Sequence, residues 1–427
     1  MAQLKDDCFA FGGDLMELRD ALNLLKKNVS LVVASENVPL NLAEGRFLAE
    51  NIISERNVPP HNNSAVDGFA VFFNDLNSDG VTRLPVTGRI AAGHPLGRPA
   101  IRGEALRIFT GASMPEGLES QPDTIFMDED CTLEETSVGE VVVLPEGLQL
   151  GANHRFAGED IKIGDVIVSI GQQLRPQEIG LAASVGLATL KVYKPLRVAV
   201  FSTGDEVSDP GKKIYPGCIY DANRHAVMAL LKSLGCEVSD LGILQDNTSL
   251  IIEALARAAS NHDLLVTSGG ISAGEEDHVK DAVETLGQID LWRLAIKPGR
   301  PIALGQVGNV AFLGLPGNPV AAMVTFMVIG RVLLLLLSGA ARTKAQYFLV
   351  EANFNYKKKK GRREWARVRL KNIEGGHPLA EKHISSGAGI LTSMVEADGL
   401  IEMDENMDGV KKGTLVPFLP FNEVTGR

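Results

Sequence analysis

The sequence predicts a multidomain chain of α/β plus β class, organised around a central doubly wound α/β domain. The first reason is a rhythm that begins at Pro195. Apolar runs at 197–201, 237–243 and 263–266 alternate with helix-like stretches at 225–234, 249–260 and 276–286, the pattern of a parallel sheet with crossover helices. The second is that residues 54–146, and again the residues after Gly339, consist of short β-type runs separated by Gly and Pro turns. The third is length: 427 residues hold about three domains at roughly 150 residues each.

The amino end opens with Asp14-Leu15-Met16-Glu17, an N-cap with an acid three residues on, and Leu15, Leu18, Leu22 and Leu25 mark one helix face to about Lys27. A second short helix is expected over 42–53. Residues 57–64, with Pro59 and Pro60 and no periodicity, form a loop. Strands are expected at 84–90, 105–109, 124–127 and 140–144, and the β-rich domain that carries them is expected to protrude. A strand at 166–170 and a helix at 176–185 follow. The almost wholly apolar run 320–341 is long enough to cross a bilayer. Arg331 near its middle would cost about 2.5–3.5 kcal/mol there, so a buried helix is the better reading. The last β runs are 347–354, 365–370, 399–402 and 415–418.

Composition excludes several functions. A net charge of −11 and 5% aromatic residues argue against nucleic acid or an anionic membrane as partner. The cysteines (Cys8, Cys131, Cys218, Cys236) show no C-x-x-C spacing, so neither a zinc site nor a disulfide framework is indicated. Free thiols and no signal peptide point to the cytoplasm. The run Lys357-Lys358-Lys359-Lys360-Gly361-Arg362-Arg363 reads as a solvated hairpin tip rather than a nucleic-acid contact.

Chemistry concentrates where the α/β strands end. Asp263-Leu264-Leu265-Val266-Thr267-Ser268-Gly269-Gly270-Ile271-Ser272-Ala273-Gly274-Glu275-Glu276-Asp277 reads as strand, glycine turn and helix start, an anion-binding corner with acids just beyond it. Those acids would repel a bare phosphate and make sense with a divalent cation in between. Ser202-Thr203-Gly204-Asp205-Glu206 follows the first strand, and Gln245-Asp246-Asn247 the second. Lys297-Pro298-Gly299-Arg300-Pro301 and Gly314-Leu315-Pro316-Gly317-Asn318-Pro319 come later. Ligands of doubly wound sheets bind outside the carboxyl ends of the strands, so these loops should meet at one crevice. Lys297 and Arg300 suit phosphate or oxyanion binding. Glu206, Asp246 and Asp277 suit a hard cation such as Mg²⁺. Taken singly, Asp205 and Asp246 read equally as capping or helix-start acids; the cluster points to a ligand. In the β-rich half, Asp67 beside Gly68, Thr110-Gly111-Ala112, and Arg155 to Asp160 form a second polar group, for which a turn acid and a solvated loop are the plain alternatives.

Together with Asn63-Ser64-Ala65-Val66-Asp67-Gly68-Phe69-Ala70, these motifs occur in the order of a known family, and the chain resembles the MoeA-type molybdopterin molybdenumtransferases, which include the E domain of gephyrin. The resemblance covers nearly the whole length. It implies a discontinuous first domain (1–53 and 147–186), a β-rich second domain (54–146), an α/β molybdopterin-binding third domain (187–338) and a β-barrel-like fourth (339–427). It implies a homodimer whose active site joins the third domain of one subunit to the second domain of the other. The implied reaction is insertion of molybdenum from molybdate into adenylyl-molybdopterin, with Mg²⁺ and release of AMP. Implied partners are the molybdopterin adenylyltransferase and molybdoenzyme-maturation proteins. Matched by motif, Asp67, Thr110, Arg155, Asp160, Glu206, Asp246, Asp277, Arg293, Lys297, Pro316 and Arg362 would be functional. Asp67, Asp160, Glu206 and Asp246 would be catalytic, and Ser202, Thr203, Gly204, Ser268, Gly269, Gly270, Ser272 and Arg300 would join in binding substrate. The chain departs from the family pattern at Asn62, Val66, Phe69, Arg293, Arg300, Ala321 and Ser386-Gly387-Ala388. The competing readings are a pterin-binding adenylyltransferase and a non-catalytic scaffold of the gephyrin type.

Overall fold

The computed structural model describes residues 15–270, 278–372 and 376–425. Two compact units emerge, one of Met1–Glu50, Ile170–Arg175 and Thr189–Arg427, the other of Asn51–Ser169 and Pro176–Ala188.

The first unit is built on a six-stranded sheet in the order Glu237–Leu244, Arg197–Thr203, Leu264–Ser268, Val310–Leu315, Pro301–Val307, Gly287–Arg293. Neighbours run parallel as far as Val310–Leu315, and the last two strands are antiparallel. The sheet is therefore mixed rather than purely parallel. A tight turn at Gly308-Asn309, with Gly308 at φ 58°, makes the hairpin that adds the antiparallel edge. Strand alternation sends Val198, Val200, Leu264 and Leu313 into one core, and Ala199, Phe201, Leu265 and Phe312 into another on the opposite face. Ala222–Ser233 and the long apolar helix cover the first face; Thr248–Ala259 and His278–Leu286 cover the second.

That apolar helix, Pro319–Leu337, is long enough to cross a membrane, but 83% of it is buried inside the unit. It is a core helix, with a π-turn at Phe326–Gly330. Beyond it, Phe348–Ala352, Arg363–Lys371, Leu379–Lys382, Gly399–Met403 and Leu415–Pro420 close on one another as a five-stranded barrel. The short strand Ile296–Lys297 leaves the α/β region to pair with this barrel, Lys297 lying beside Glu364.

Several local expectations change. The amino-terminal helix is Leu18–Asn28, capped at Glu17 without a side-chain hydrogen bond, while Asp14 lies outside the described residues. The helix expected over 42–53 is a 3₁₀ turn at Leu40–Leu42 followed by a two-residue strand, Ile52–Ile53. Gly45 at φ 77° breaks the helical path, and Arg46 Nε instead donates to the Tyr193 carbonyl at 3.1 Å. The lysine run is a solvated turn at Lys359-Lys360-Gly361, as expected, but it is anchored at both ends. Lys358 is buried and its Nζ donates to the carbonyls of Asp404 and Met407, both at 2.7 Å; Arg363 pairs with Glu402 and Glu405 at 2.8 and 2.9 Å.

The second unit carries a six-stranded sheet in the order Thr124–Met127, Gly68–Val71, Ala105–Ile108, Thr82–Ile90, Gly139–Leu144, Thr132–Thr136. Gly68 is required there: a Cβ on it would stand 1.7 Å from the Phe126 carbonyl oxygen. The helix Pro176–Ser184 packs against the strand Val166–Val168.

Candidate functional site

The sheet register fixes the site. Ser202 stands beside Ser268, and Ser268 beside Leu315, so three neighbouring strands end at one level and release their loops together. The result is a crevice with two connected parts. The smaller, about 250 Å³, is lined by Ser202, Thr203, Gly204, Glu206, Asp246 and Ser268. The larger, about 490 Å³, is lined by Lys297, Arg300, Pro316, Tyr356, Glu364 and Arg367 among others. Glu206, Gly269, Gly270 and Gly317 belong to both. The expected meeting of loops distant in sequence is what the fold produces.

Backbone contacts hold the loops in place. Gly269 N–H donates to the Leu315 carbonyl at 3.0 Å, and Ser268 Oγ donates to the Pro316 carbonyl at 3.1 Å. Asp246 Oδ2 accepts from the Asp205 N–H at 3.2 Å, joining the loops that bear the two acids. Gly204, at φ 128°, admits Glu206: a Cβ there would lie 2.6 Å from Glu206 Oε2. The Ser202 hydroxyl is buried with no hydrogen-bond partner among the described residues.

Sequence reasoning missed Asn223, whose Nδ2 donates to Ser268 Oγ at 2.9 Å and to the Gly317 carbonyl at 2.7 Å. It also missed Arg224, a buried guanidinium paired with Asp221 at 2.8 Å and with Asp209 and Asp240. Asp209 lies on the loop that carries Glu206, so Arg224 anchors that loop to the helix start and the neighbouring strand. The Tyr220-Asp221-Ala222-Asn223-Arg224 stretch, an N-cap acid followed by polar residues, was the available signal.

The wall from the barrel was missed as well. Glu364, only 1% exposed, accepts from Tyr356 Oη at 2.8 Å and from Arg362 Nε at 2.6 Å, and lies 3.5 Å from Lys297 Nζ. Burial pushes its pKa up, but the Tyr356 and Arg362 hydrogen bonds and the Lys297 charge outweigh that and hold it below the ordinary value. Arg362 therefore meets the crevice through Glu364 and does not itself line it. Arg367, 4% exposed, donates to the carbonyls of Ser385 and Gly387 at 3.0 and 3.2 Å and shapes the loop that carries Ala388.

Arg293 lies elsewhere. It ends the edge strand, exposed opposite Pro301, and lines neither part of the crevice. Ser272 and Asp277 lie outside the described residues. Among the described residues no group of three metal-ligating side chains forms. Glu206 and Asp246 supply hard carboxylate oxygens on one hollow, a donor set that fits Mg²⁺ in kind and falls short of a complete shell.

In the second unit, Asp67 Oδ1 accepts from both the backbone N–H and the hydroxyl of Thr110, each at 2.7 Å. Those two bonds hold the exposed Asp67 carboxyl below its ordinary pKa, with Arg107 adding a smaller pull. Arg155 sits in a short ladder beside Asn63, 3.9 Å from Glu159. Asp160 is exposed, its backbone N–H bonded to the Val58 carbonyl at 3.1 Å.

Comparison with known proteins gives the same picture along the chain. Residues 16–186 match the MoeA N-terminal region (domain I and II), 199–335 a probable molybdopterin binding domain, and 350–421 the MoeA C-terminal region (domain IV). The molybdopterin molybdenumtransferase of Haemophilus influenzae is 38% identical, covering 96% of this chain and 100% of its own. That of a Nostoc species is 31% identical over 94% of each. Among solved structures, a molybdopterin biosynthesis MoeA protein from Pyrococcus horikoshii matches with a TM-score of 0.77 at 25% identity, covering 95% of this chain and 100% of that one.

Proposed function

The chain belongs to the MoeA family of molybdopterin molybdenumtransferases, enzymes of molybdenum cofactor biosynthesis, and on that premise we propose how its own residues serve the reaction. The substrate is adenylyl-molybdopterin, bound in the crevice at the strand ends, and molybdate is the second substrate. The carrying observation is the convergence of Glu206, Asp246, Ser268, Gly269, Gly270 and Lys297 on that one crevice.

Lys297 offers a point charge and Arg300 a planar fork to anionic oxygens, in a cavity that Trp365 and Ala366 help to line. Gly269 and Gly270 leave backbone close to the ligand, and Pro316 lines the same cavity. Glu206 and Asp246, joined by Asp277, would hold Mg²⁺. The cation would stabilise charge on the AMP phosphate as it leaves. Thr110 orients Asp67 through two hydrogen bonds to one oxygen, leaving the other oxygen as an acceptor at the metal end. Arg155 and Asp160 complete that polar group. Arg362 acts by positioning Glu364 and, through it, Lys297; Arg293 contributes charge from outside the crevice.

We read the chain as the four parts 1–53 with 147–186, 54–146, 187–338 and 339–427, working as a cytoplasmic homodimer. Ile53 and Val166 face each other across a short ladder, both more than half exposed, which supports a covered apolar face in the second unit. The supplier of substrate would be the molybdopterin adenylyltransferase, and molybdoenzyme-maturation proteins would receive the product. Purified protein given adenylyl-molybdopterin, molybdate and Mg²⁺ should release AMP, with release lost when either molybdate or Mg²⁺ is omitted. Failure to release AMP with all three present would overturn the reading. Sedimentation of a monomer at micromolar concentration would overturn the dimer.

A further inference from the structure

Among the described residues, the arginine in the middle of the apolar helix forms no ion pair with a carboxylate. Arg331 follows directly on the π-turn Phe326–Gly330. One extra residue in a turn rotates the following face by about 100°, and such turns recur at functional positions. Its Nη1 donates to the Thr343 carbonyl at 3.0 Å, and its Nε is buried with no partner among the described residues. Burial pushes its pKa down, against the pull of Glu423 and with the push of Arg342. Glu423 is itself engaged, accepting from the Gln346 N–H at 2.9 Å.

Arg331 opens onto a hollow of about 690 Å³ that shares no lining residue with the crevice. Arg175, Arg342 and Lys344 line it too, with Glu44 and Glu423 as its acids. In a chain of net charge −11, cations outnumber acids on this wall. The Nε is closed off by protein, so an oxyanion in the hollow would meet Arg331 through its terminal guanidinium N–H groups and offset the cost of burying that charge. The planar fork of Arg331, with Arg342 and Lys344 as further charges, matches a tetrahedral dianion better than a single carboxylate. The helix bearing Arg331 begins at the crevice, where Asn318 and Ala321 line the larger part; Arg331 lies about 15 Å further along at 1.5 Å per residue.

We propose that this hollow is a second ligand site, binding an oxyanion of the phosphate class through Arg331 with Arg342 and Lys344. The site stands on the geometry of the first unit and does not depend on the proposed reaction.

The test is calorimetric titration with inorganic phosphate, without Mg²⁺ and at constant ionic strength, on the full chain and three variants. Saturable binding should persist in Lys297→Ala, which removes a cation from the crevice. It should weaken about tenfold or more in Arg331→Met, the effect of losing one charge-assisted hydrogen bond. The exposed pair Arg342→Ala with Lys344→Ala should weaken it similarly, and this variant removes no buried group. Melting of Arg331→Met without phosphate, at or above the wild-type temperature, shows that it is folded. Glycerol phosphate in a parallel titration separates sources: tighter binding than inorganic phosphate indicates a phosphate borne on a larger metabolite, weaker binding the free ion, and either supports the site. Absence of saturable binding, binding unchanged in Arg331→Met and in the double variant, or binding abolished by Lys297→Ala overturns it.

Discussion

Glu206 and Asp67 are both exposed loop carboxylates, yet they are held in opposite ways. Asp67 has one oxygen committed twice to Thr110, a local clamp that fixes its direction and lowers its pKa. Glu206 has a well-anchored backbone, its carbonyl accepting from Ile219 N–H at 2.8 Å, and a side chain with no hydrogen bond or ion pair among the described residues. A committed carboxylate orients something near it. An uncommitted one on a hollow beside Asp246 is available to a ligand from outside. Site residues thus separate into those whose partner is in the protein and those whose partner must arrive.

The sharpest way to break that contrast is Glu206→Ala or Asp246→Ala. Either should lower Mg²⁺-dependent AMP release by about 10²–10³-fold, the scale of removing electrostatic stabilisation from a reacting phosphate, with thermal stability nearly unchanged. A loss under tenfold in both would place the cation elsewhere.

Asp67→Asn comes next, with an expected loss of about tenfold to a hundredfold, because it removes the charge while keeping the shape. Thr110→Ala should cost about tenfold and leave one of the two hydrogen bonds. It should also move the acid limb of the pH–rate profile upward, since the clamp is what keeps the Asp67 pKa low. An unmoved acid limb would separate Asp67 from the reaction.

Glu364→Gln probes the larger part of the crevice. Loosening Lys297 should raise KM severalfold and change kcat less, at a stability cost of about 1–3 kcal/mol near neutral pH for the weakened buried network. The folded pKa of Glu364 is depressed, so its contribution is present above the ordinary 4.5 and disappears as pH falls through the lowered value. Wild type and variant should therefore converge in stability in acid. A pH-independent difference would mean that packing, not charge, is what Glu364 provides.

Much of this was readable in the sequence, for a physical reason. The Leu264–Ser268 strand is apolar on both faces and ends in small residues, so strand, turn and ligand corner announce themselves locally. Thr124–Met127 was found with its boundaries. What escaped was decided by distant partners. Residues 42–53 have helical spacing, but Ala49 N–H bonds the Lys191 carbonyl at 2.9 Å and Arg46 reaches Tyr193, 147 residues away. Within the exposed basic run, the burial of Lys358 escaped because carbonyls such as Met407 O, which receive it, carry no sequence signature. Glu364 was passed over because its importance depends on a neighbouring strand drawn from another part of the chain. Asn223 and Arg224 sat in an ordinary helix start whose contacts only the sheet reveals.

The pairing of Ile296–Lys297 with Arg363-Glu364 has one more consequence. Lys297, a cation of the larger cavity, is stitched by main-chain bonds into the terminal β module, so the two cannot be traded independently. A chimera that imported this module from a relative would also import the immediate surroundings of Lys297. Grafting experiments, and natural drift in that module alone, should then alter anion preference without a single change in the loops that carry Glu206 and Asp246.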